Sequence, residues 1–194
     1  MRSQTRPKRQ FSREIRVPKP LDAPRLEELA LAYVARFATS AGKLEAYLRR
    51  KLRERGWEGE GIAPTAALIE RLVSAGYVDD SAYARSKSGS LLRRGYGERR
   101  IGQALGAAGI AAEVREEVRS GPGAQARAAL ALARKRRFGP FGDKAEDRAG
   151  REKQIGAMLR AGHPLDSARE LVNATTIEAA EQWAAEADED ETCD

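Results

Sequence analysis

The fold of this chain is decided by residues 48–57, LRRKLRERGW, which return in altered form as residues 101–110, IGQALGAAGI. In the first copy, Leu48 and Leu52 stand one helical turn apart and are followed by Gly56 and the apolar Trp57. The spacing of four places both leucines on one face of an α-helix, and glycine commonly ends such a helix. A repeated unit of this kind is typical of a stacked helical array.

A third copy of the unit begins at Ile155 and continues through Leu159 and Gly162 to His163, one residue shorter than the others. Outside the copies, Ser40 and Asp79 stand in positions suited to capping a following helix. The pattern predicts an all-α fold of three tandem three-helix repeats. Their expected bounds are residues 25–78, 79–122 and 123–174.

The two ends of the chain differ in charge. Residues 1–24 are rich in Lys, Arg and Pro, and we expect them to form a basic disordered extension. Residues 175–194 are expected to form a short helix and an acidic tail. The whole chain has 35 Lys and Arg against 29 Asp and Glu, a net charge of +6, which favours a polyanionic partner such as nucleic acid or a nucleoprotein.

The chain lacks the residue patterns of common catalytic and metal sites. It has one histidine, His163, and one cysteine, Cys193, and no Cys, Asp or Glu cluster stands at ligand spacing around the histidine. Gly95-Tyr96-Gly97 resembles part of a dinucleotide fingerprint, but no strand precedes it. We therefore expect a protein that is not an enzyme and that needs no cofactor or metal, with His163 as a packing or turn residue.

The sequence also bears on the compartment and the assembly. A single cysteine allows no disulfide within the chain, and no apolar run is long enough for a membrane span. These features predict a soluble cytoplasmic protein. Nothing in the sequence demands an oligomer, so a monomer is the expected state.

Basic residues recur at similar places in successive repeats, which favours a binding surface over simple solvated faces, the simpler interpretation of any one cluster. We expect them to align into a stripe that contacts a nucleoprotein filament or DNA, with one tyrosine packing or stacking among them. These candidate binding residues are Arg49, Arg50, Arg53, Arg93, Arg94, Tyr96, Arg99, Arg100, Arg134, Lys135, Arg136 and Arg137.

Two further stretches carry a resemblance to a known family. Residues 76–84, GYVDDSAYA, and residues 92–101, LRRGYGERRI, closely resemble the RecX family, and residues 48–57 match the first repeat of that family. The resemblance covers roughly residues 25–173. It implies a curved, elongated molecule that binds the active RecA–single-stranded DNA filament and reduces its ATPase, strand-exchange and coprotease activities in recombination and repair.

Two other classes of function stay open at this point. Three-helix units resemble helix-turn-helix modules, so the chain could be an autonomous DNA-binding protein with residues 98–108 as its recognition helix. It could also be a helical scaffold that binds only protein. Phosphate binding weakens steeply with salt and binding in an apolar groove does not, so salt dependence separates the two.

Overall fold

The structure, a computed structural model, describes residues 19–142 and 147–192, with side chains described as far as residue 187. Within these residues the secondary structure is helical, and the predicted all-α class is confirmed. A short 3₁₀ turn covers Gly139–Phe141. The α-helices are α1 (Ala23–Arg36), α2 (Ala41–Arg55), α3 (Thr65–Ser74), α4 (Asp80–Arg93), α5 (Glu98–Gly106), α6 (Ala112–Glu117), α7 (Pro122–Arg136), α8 (Arg148–Ala161), α9 (Leu165–Asn173) and α10 (Ile177–Thr192).

The capping residues and the helix-ending glycine predicted from the sequence occupy these positions in the structure. The Ser40 hydroxyl accepts a hydrogen bond from Lys43 N at 3.3 Å, and the Asp79 carboxylate accepts one from Ala82 N at 2.8 Å. Each therefore satisfies a backbone donor that the first turn of a helix leaves free. At the far end of α2, Gly56 has a φ of +79°, a conformation that residues with a Cβ rarely adopt.

Three apolar clusters form the interior, one for each successive group of helices. The first is centred on Leu26, Leu48 and Leu68 of α1–α3. The second contains Ile101 and Leu105 of α5. The third joins α7 to α8, α9 and α10. The apolar positions of the repeated unit thus become the core of each group, because their spacing keeps them on one helix face.

The last residues of the predicted extension, residues 1–24, contact the first group of helices. Leu21 is fully buried in the first cluster, and its backbone pairs with the end of α2: Leu21 N donates to Gly56 O at 3.0 Å and Glu58 N donates to Leu21 O at 2.9 Å. Burying a leucine side chain is worth roughly 2 kcal/mol, and together with the two backbone hydrogen bonds it offsets part of the cost of fixing this short stretch. The rest of the predicted extension, residues 1–18, lies outside the described residues.

The C-terminal segment is more helical than predicted. We expect a helix over residues 177–187 before the acidic tail, whereas α10 continues to Thr192. Ala180 and Ala184 are buried against the third cluster, so α10 is a fourth helix of that group. Small alanines at a spacing of four allow α10 to approach α7 closely.

The first two groups of helices meet at the start of α2. The buried Ser40 hydroxyl donates to Ala108 O at 2.5 Å, and Ala41 N donates to an Asp80 carboxylate oxygen at 2.8 Å. A Cβ added to Gly42 would lie 2.7 Å from the Cα of Gly109. Backbone therefore packs directly on backbone here, which fixes one repeat against the next.

Candidate nucleic-acid interface

The second and third groups of helices also meet backbone to backbone. Gly97 N donates to Ala161 O at 3.0 Å, and Arg99 N donates to Gly162 O at 3.3 Å. A Cβ on Gly97 would lie 2.5 Å from the Gly162 carbonyl carbon. This close approach holds the start of α5 against the end of α8 and sets the spacing of the basic residues on either side.

His163 completes this junction. Its side chain is buried, and Nε2 lies 3.0 Å from Gly95 O, so the neutral ring with a proton on Nε2 donates to that carbonyl. Burial lowers the pKa of His163, against the opposing effect of the bond to Gly95. The prediction of a packing residue is confirmed, since His163 occupies the apolar position of the third copy and still satisfies one ring nitrogen.

A groove of about 440 Å³ opens beside this junction, between the second and third groups of helices. Its floor contains Leu132, Phe138 and Ala161. The Arg94 guanidinium lies over the Tyr96 ring at 5.5 Å from its centroid, a cation–π contact that holds both side chains at the groove. The basic residues that line the groove are Arg94, Arg100, Lys135, Arg136 and Arg160.

The positive charge of this groove is not neutralised within the described part of the chain. There, no carboxylate lies within 4.0 Å of the cationic groups that line it. Arg94, Arg100, Lys135, Arg136 and Arg160 are also exposed, so their charges face solvent. Several cations that converge on one concave surface attract a polyanion through electrostatic focusing and counterion release.

The structure brings together only part of the predicted set. Arg94, Tyr96, Arg100, Lys135 and Arg136 line the groove. Arg49 and Arg50 instead form ion pairs along α2 with Glu45 and Glu54, and Arg53 is exposed on the same helix. The expected single stripe is therefore divided between α2 and the groove.

The other predicted residues have structural partners or lie on a neighbouring face. The Arg99 guanidinium donates to Leu159 O, and Arg134 pairs with Glu181 of α10 while lying over the Phe141 ring. Arg137 ends α7 in the left-handed conformation, with a φ of 55°. Arg93 lines a separate shallow surface between α4 and α7.

The groove contains one basic residue that the sequence interpretation missed, Arg160 near the end of α8. The signal for it was the repeat itself. When the third copy is laid on the first, Leu159 matches Leu52 and Arg160 matches Arg53. Arg160 stands alone in the sequence rather than in a run, so a search for basic clusters passes over it.

Fold and site together define a helical-repeat protein with a basic groove. The family model of the second three-helix domain of RecX matches residues 79–118. The RecX regulatory protein of Myxococcus xanthus is 32% identical over 170 residues, covering 80% of this chain and 88% of that protein. A RecX regulatory protein of Thermus thermophilus is 42% identical over 108 residues, covering 56% of this chain and 71% of that protein. The chain belongs to the RecX family of regulatory proteins.

Two solved structures share the fold. The crystal structure of RecX from Lactobacillus salivarius aligns with a TM-score of 0.60 over 77% of this chain and 94% of that one, at 19% identity. A second crystal structure of a RecX regulatory protein aligns with a TM-score of 0.62 over 78% and 72%, also at 19% identity. At this identity the likeness concerns the fold alone. Among residues 19–142 and 147–192, every helix is too short or too polar to cross a bilayer.

Proposed function

We propose that this chain regulates the RecA recombinase by binding the RecA–single-stranded DNA filament and reducing its ATPase, strand-exchange and coprotease activities. The observation that carries the proposal is the groove in which Arg94, Arg100 and Arg136 converge without carboxylate partners among the described residues. A nucleoprotein filament presents repeated anionic surface, which a groove of this charge complements. Membership of a family of regulatory proteins supports a role in control rather than in catalysis.

Rigid junctions between the repeats suit this role. The contacts of Gly97 with Gly162 and of Gly42 with Gly109 leave little room for the repeats to hinge. A rigid array loses less conformational entropy on binding than a flexible one. A preformed surface that spans several RecA protomers of the filament would resist their relative motion. One bound molecule would therefore affect more than one RecA active site.

The geometry gives less support to autonomous DNA reading by α5. In helix-turn-helix proteins the first residues of the recognition helix contact base edges in the major groove. Here Gly97 and Arg99, at the start of α5, donate backbone hydrogen bonds to the end of α8, and the Arg99 side chain also bonds there. Non-specific attraction of DNA to the groove remains compatible with the proposal.

The test is single-stranded-DNA-dependent ATP hydrolysis by the cognate RecA, measured while this protein is titrated from far below equimolar amounts. Inhibition at substoichiometric amounts that persists in excess DNA would support filament regulation. If ATP hydrolysis were unaffected while the protein bound DNA tightly and in a salt-sensitive way, the proposal would be overturned in favour of a DNA-binding protein.

A further inference from the structure

A second groove, of about 410 Å³, lies where the first and second groups of helices meet, away from the basic groove. Its wall contains Phe37 after α1, Tyr77 before α4, and Tyr83 within α4. Phe37 is 49% exposed and Tyr77 is 61% exposed, whereas Val78, the next residue, is buried in the core. Tyr77 lies in residues 76–84, the stretch that resembles the RecX family, but its side chain does not pack into the interior.

Aromatic rings are concentrated on this side of the molecule. Only 6% of the chain is aromatic, yet four of its five tyrosines lie in the groove or beside it. Behind Phe37, the Tyr33 ring lies at 5.2 Å, and Tyr33 stacks on Tyr47 at 4.2 Å with an angle of 16° between the planes. The exposed ring of Phe37 is thus the end of a supported row of rings.

Cations accompany these rings. The Arg36 guanidinium lies 5.5 Å from the Phe37 centroid, and Lys43 Nζ lies 5.3 Å from the Tyr83 centroid and 3.2 Å from its hydroxyl. Lys87 lines the groove itself. No acidic residue occurs between residues 29 and 44 or between residues 81 and 93, which supply most of the wall.

The two acidic side chains nearest the groove are already engaged. The Asp79 carboxylate accepts from Ala82 N, and the Asp80 carboxylate accepts from Ala41 N, both at 2.8 Å. Their charge is partly offset by these backbone donors and by the helix dipole at the start of α4. The groove therefore combines exposed π faces with a surplus of cations.

We propose that this groove binds unpaired nucleotides of single-stranded DNA, with bases stacking on Phe37 and Tyr77 and phosphates facing Arg36, Lys43 and Lys87. Exposed rings beside cations are the arrangement by which proteins hold single strands without sequence preference. An apolar protein segment would use the rings but would leave the lysines unmatched. Charge complementarity therefore favours the nucleic acid.

The experiment is a fluorescence anisotropy titration of the full chain with three dye-labelled probes: a single strand of thymidines, an abasic strand of equal length, and a duplex. Phe37→Ala and Tyr77→Ala should each weaken binding of the thymidine strand by about 5-fold to 100-fold, since stacking on a ring contributes this much per base. Both should leave binding of the abasic strand and the salt dependence unchanged. Lys87→Ala should instead reduce the salt slope by about one.

Two variants provide matched controls. Tyr77→Phe keeps the ring and should bind the thymidine strand as the original chain does. Ile62→Ala removes an apolar side chain that is 95% exposed outside the groove, and it should also change nothing. Circular dichroism of each variant verifies that the helices are intact.

Equal affinity of the original chain for thymidine and abasic strands would overturn the proposal. Unchanged binding of the thymidine strand by Phe37→Ala and Tyr77→Ala would also overturn it. If the same variants lost binding to RecA filaments in a separate assay, the groove would be a protein-docking site instead. No RecA is present in the titration. This inference and the proposed regulation of RecA can therefore fail separately.

Discussion

The imidazole Nε2 of His163 lies 3.0 Å from the carbonyl oxygen of Gly95, so the only histidine of the chain joins the turn after α8 to the turn after α4. Around it the backbones of Gly97 and Gly162 are in contact. This junction determines how Arg94 and Arg100 are placed relative to Arg160. Its stability therefore bears directly on the basic groove.

The burial of His163 predicts a pH-dependent stability. Its pKa in the folded protein is below the ordinary value of about 6.5, so the unfolded chain binds the extra proton first as the pH falls. The free energy of unfolding should therefore decrease as the pH is lowered from about 7 through about 6.5 and towards the folded pKa. Urea denaturation at several pH values measures this, and His163→Gln should flatten the slope in that window.

Glu98 acts with the opposite sign and provides a check on that experiment. Burial raises the pKa of Glu98, so the folded chain binds the proton first and this contribution to stability is lost as the pH rises through the folded pKa. Glu98→Gln should remove the part of the pH dependence that lies between the ordinary pKa of Glu98 and its raised pKa in the folded protein. If His163→Gln retained the original slope between about pH 6 and 7, the role assigned to His163 would be wrong.

Gly97→Ala should destabilise the protein. The added methyl would lie 2.5 Å from backbone atoms of Gly162 and 2.6 Å from His163 N, and backbone cannot move away without opening the junction. We expect a loss of about 1–3 kcal/mol in the free energy of unfolding, measured by denaturant titration. Gly102→Ala, on the same helix, meets nothing within 4 Å and should instead be neutral or stabilise by up to about 1 kcal/mol. Similar losses in both variants would contradict the close approach.

Ser40→Ala tests the other junction. The fully buried Ser40 hydroxyl caps α2 and also donates to Ala108 O in the second group of helices. Removing it leaves a buried carbonyl and a helix end without their partner, which should cost about 1–3 kcal/mol of unfolding free energy. Ser74→Ala, at the exposed end of α3, should have little effect. A cost below about 0.5 kcal/mol, which is less than the loss of a helix cap alone, would argue against both the cap and the contact between repeats.

Packing of α10 on the third cluster is tested by two neighbouring alanines. Ala184 is 3% exposed and Ala185 is exposed on the same helix. Ala184→Asp places a charge in an apolar interface and should lower the free energy of unfolding by about 2–4 kcal/mol, whereas Ala185→Asp should change it by less than about 0.5 kcal/mol. Equal effects would mean that α10 does not pack through this face.

The predicted basic residues are divided between the groove and α2, so charge reversals at the two places should have unequal effects on RecA inhibition. The double reversal Arg100→Glu and Arg136→Glu should raise the concentration needed to inhibit RecA ATP hydrolysis by at least about tenfold, because it reverses two of the five positive charges that line the groove. The matched reversal Arg49→Glu and Arg53→Glu changes net charge equally on α2 and should have a smaller effect. Equal effects would indicate that inhibition depends on net charge and not on the groove.

The sequence by itself determined the helices and their repetition. Local signals suffice for that: the spacing of Leu48 and Leu52 defines a buried face, Ser40 and Asp79 cap the helices that follow, and glycine ends them. Such signals act within one or two helical turns. The family resemblance rested on the same local stretches, and the match over residues 79–118 agrees with it.

Only the tertiary structure decided which distant residues meet. Leu21 is ordered by a backbone pairing with Gly56, and Arg160 enters the groove because α8 packs against the start of α5. Arg134 pairs with Glu181, which is 47 residues away in the sequence. Contacts of this range depend on how the repeats stack. Stacking is set by close backbone approach at glycines, and although Gly109 and Gly162 recur in the repeated unit, their spacing does not show which distant backbone each one meets.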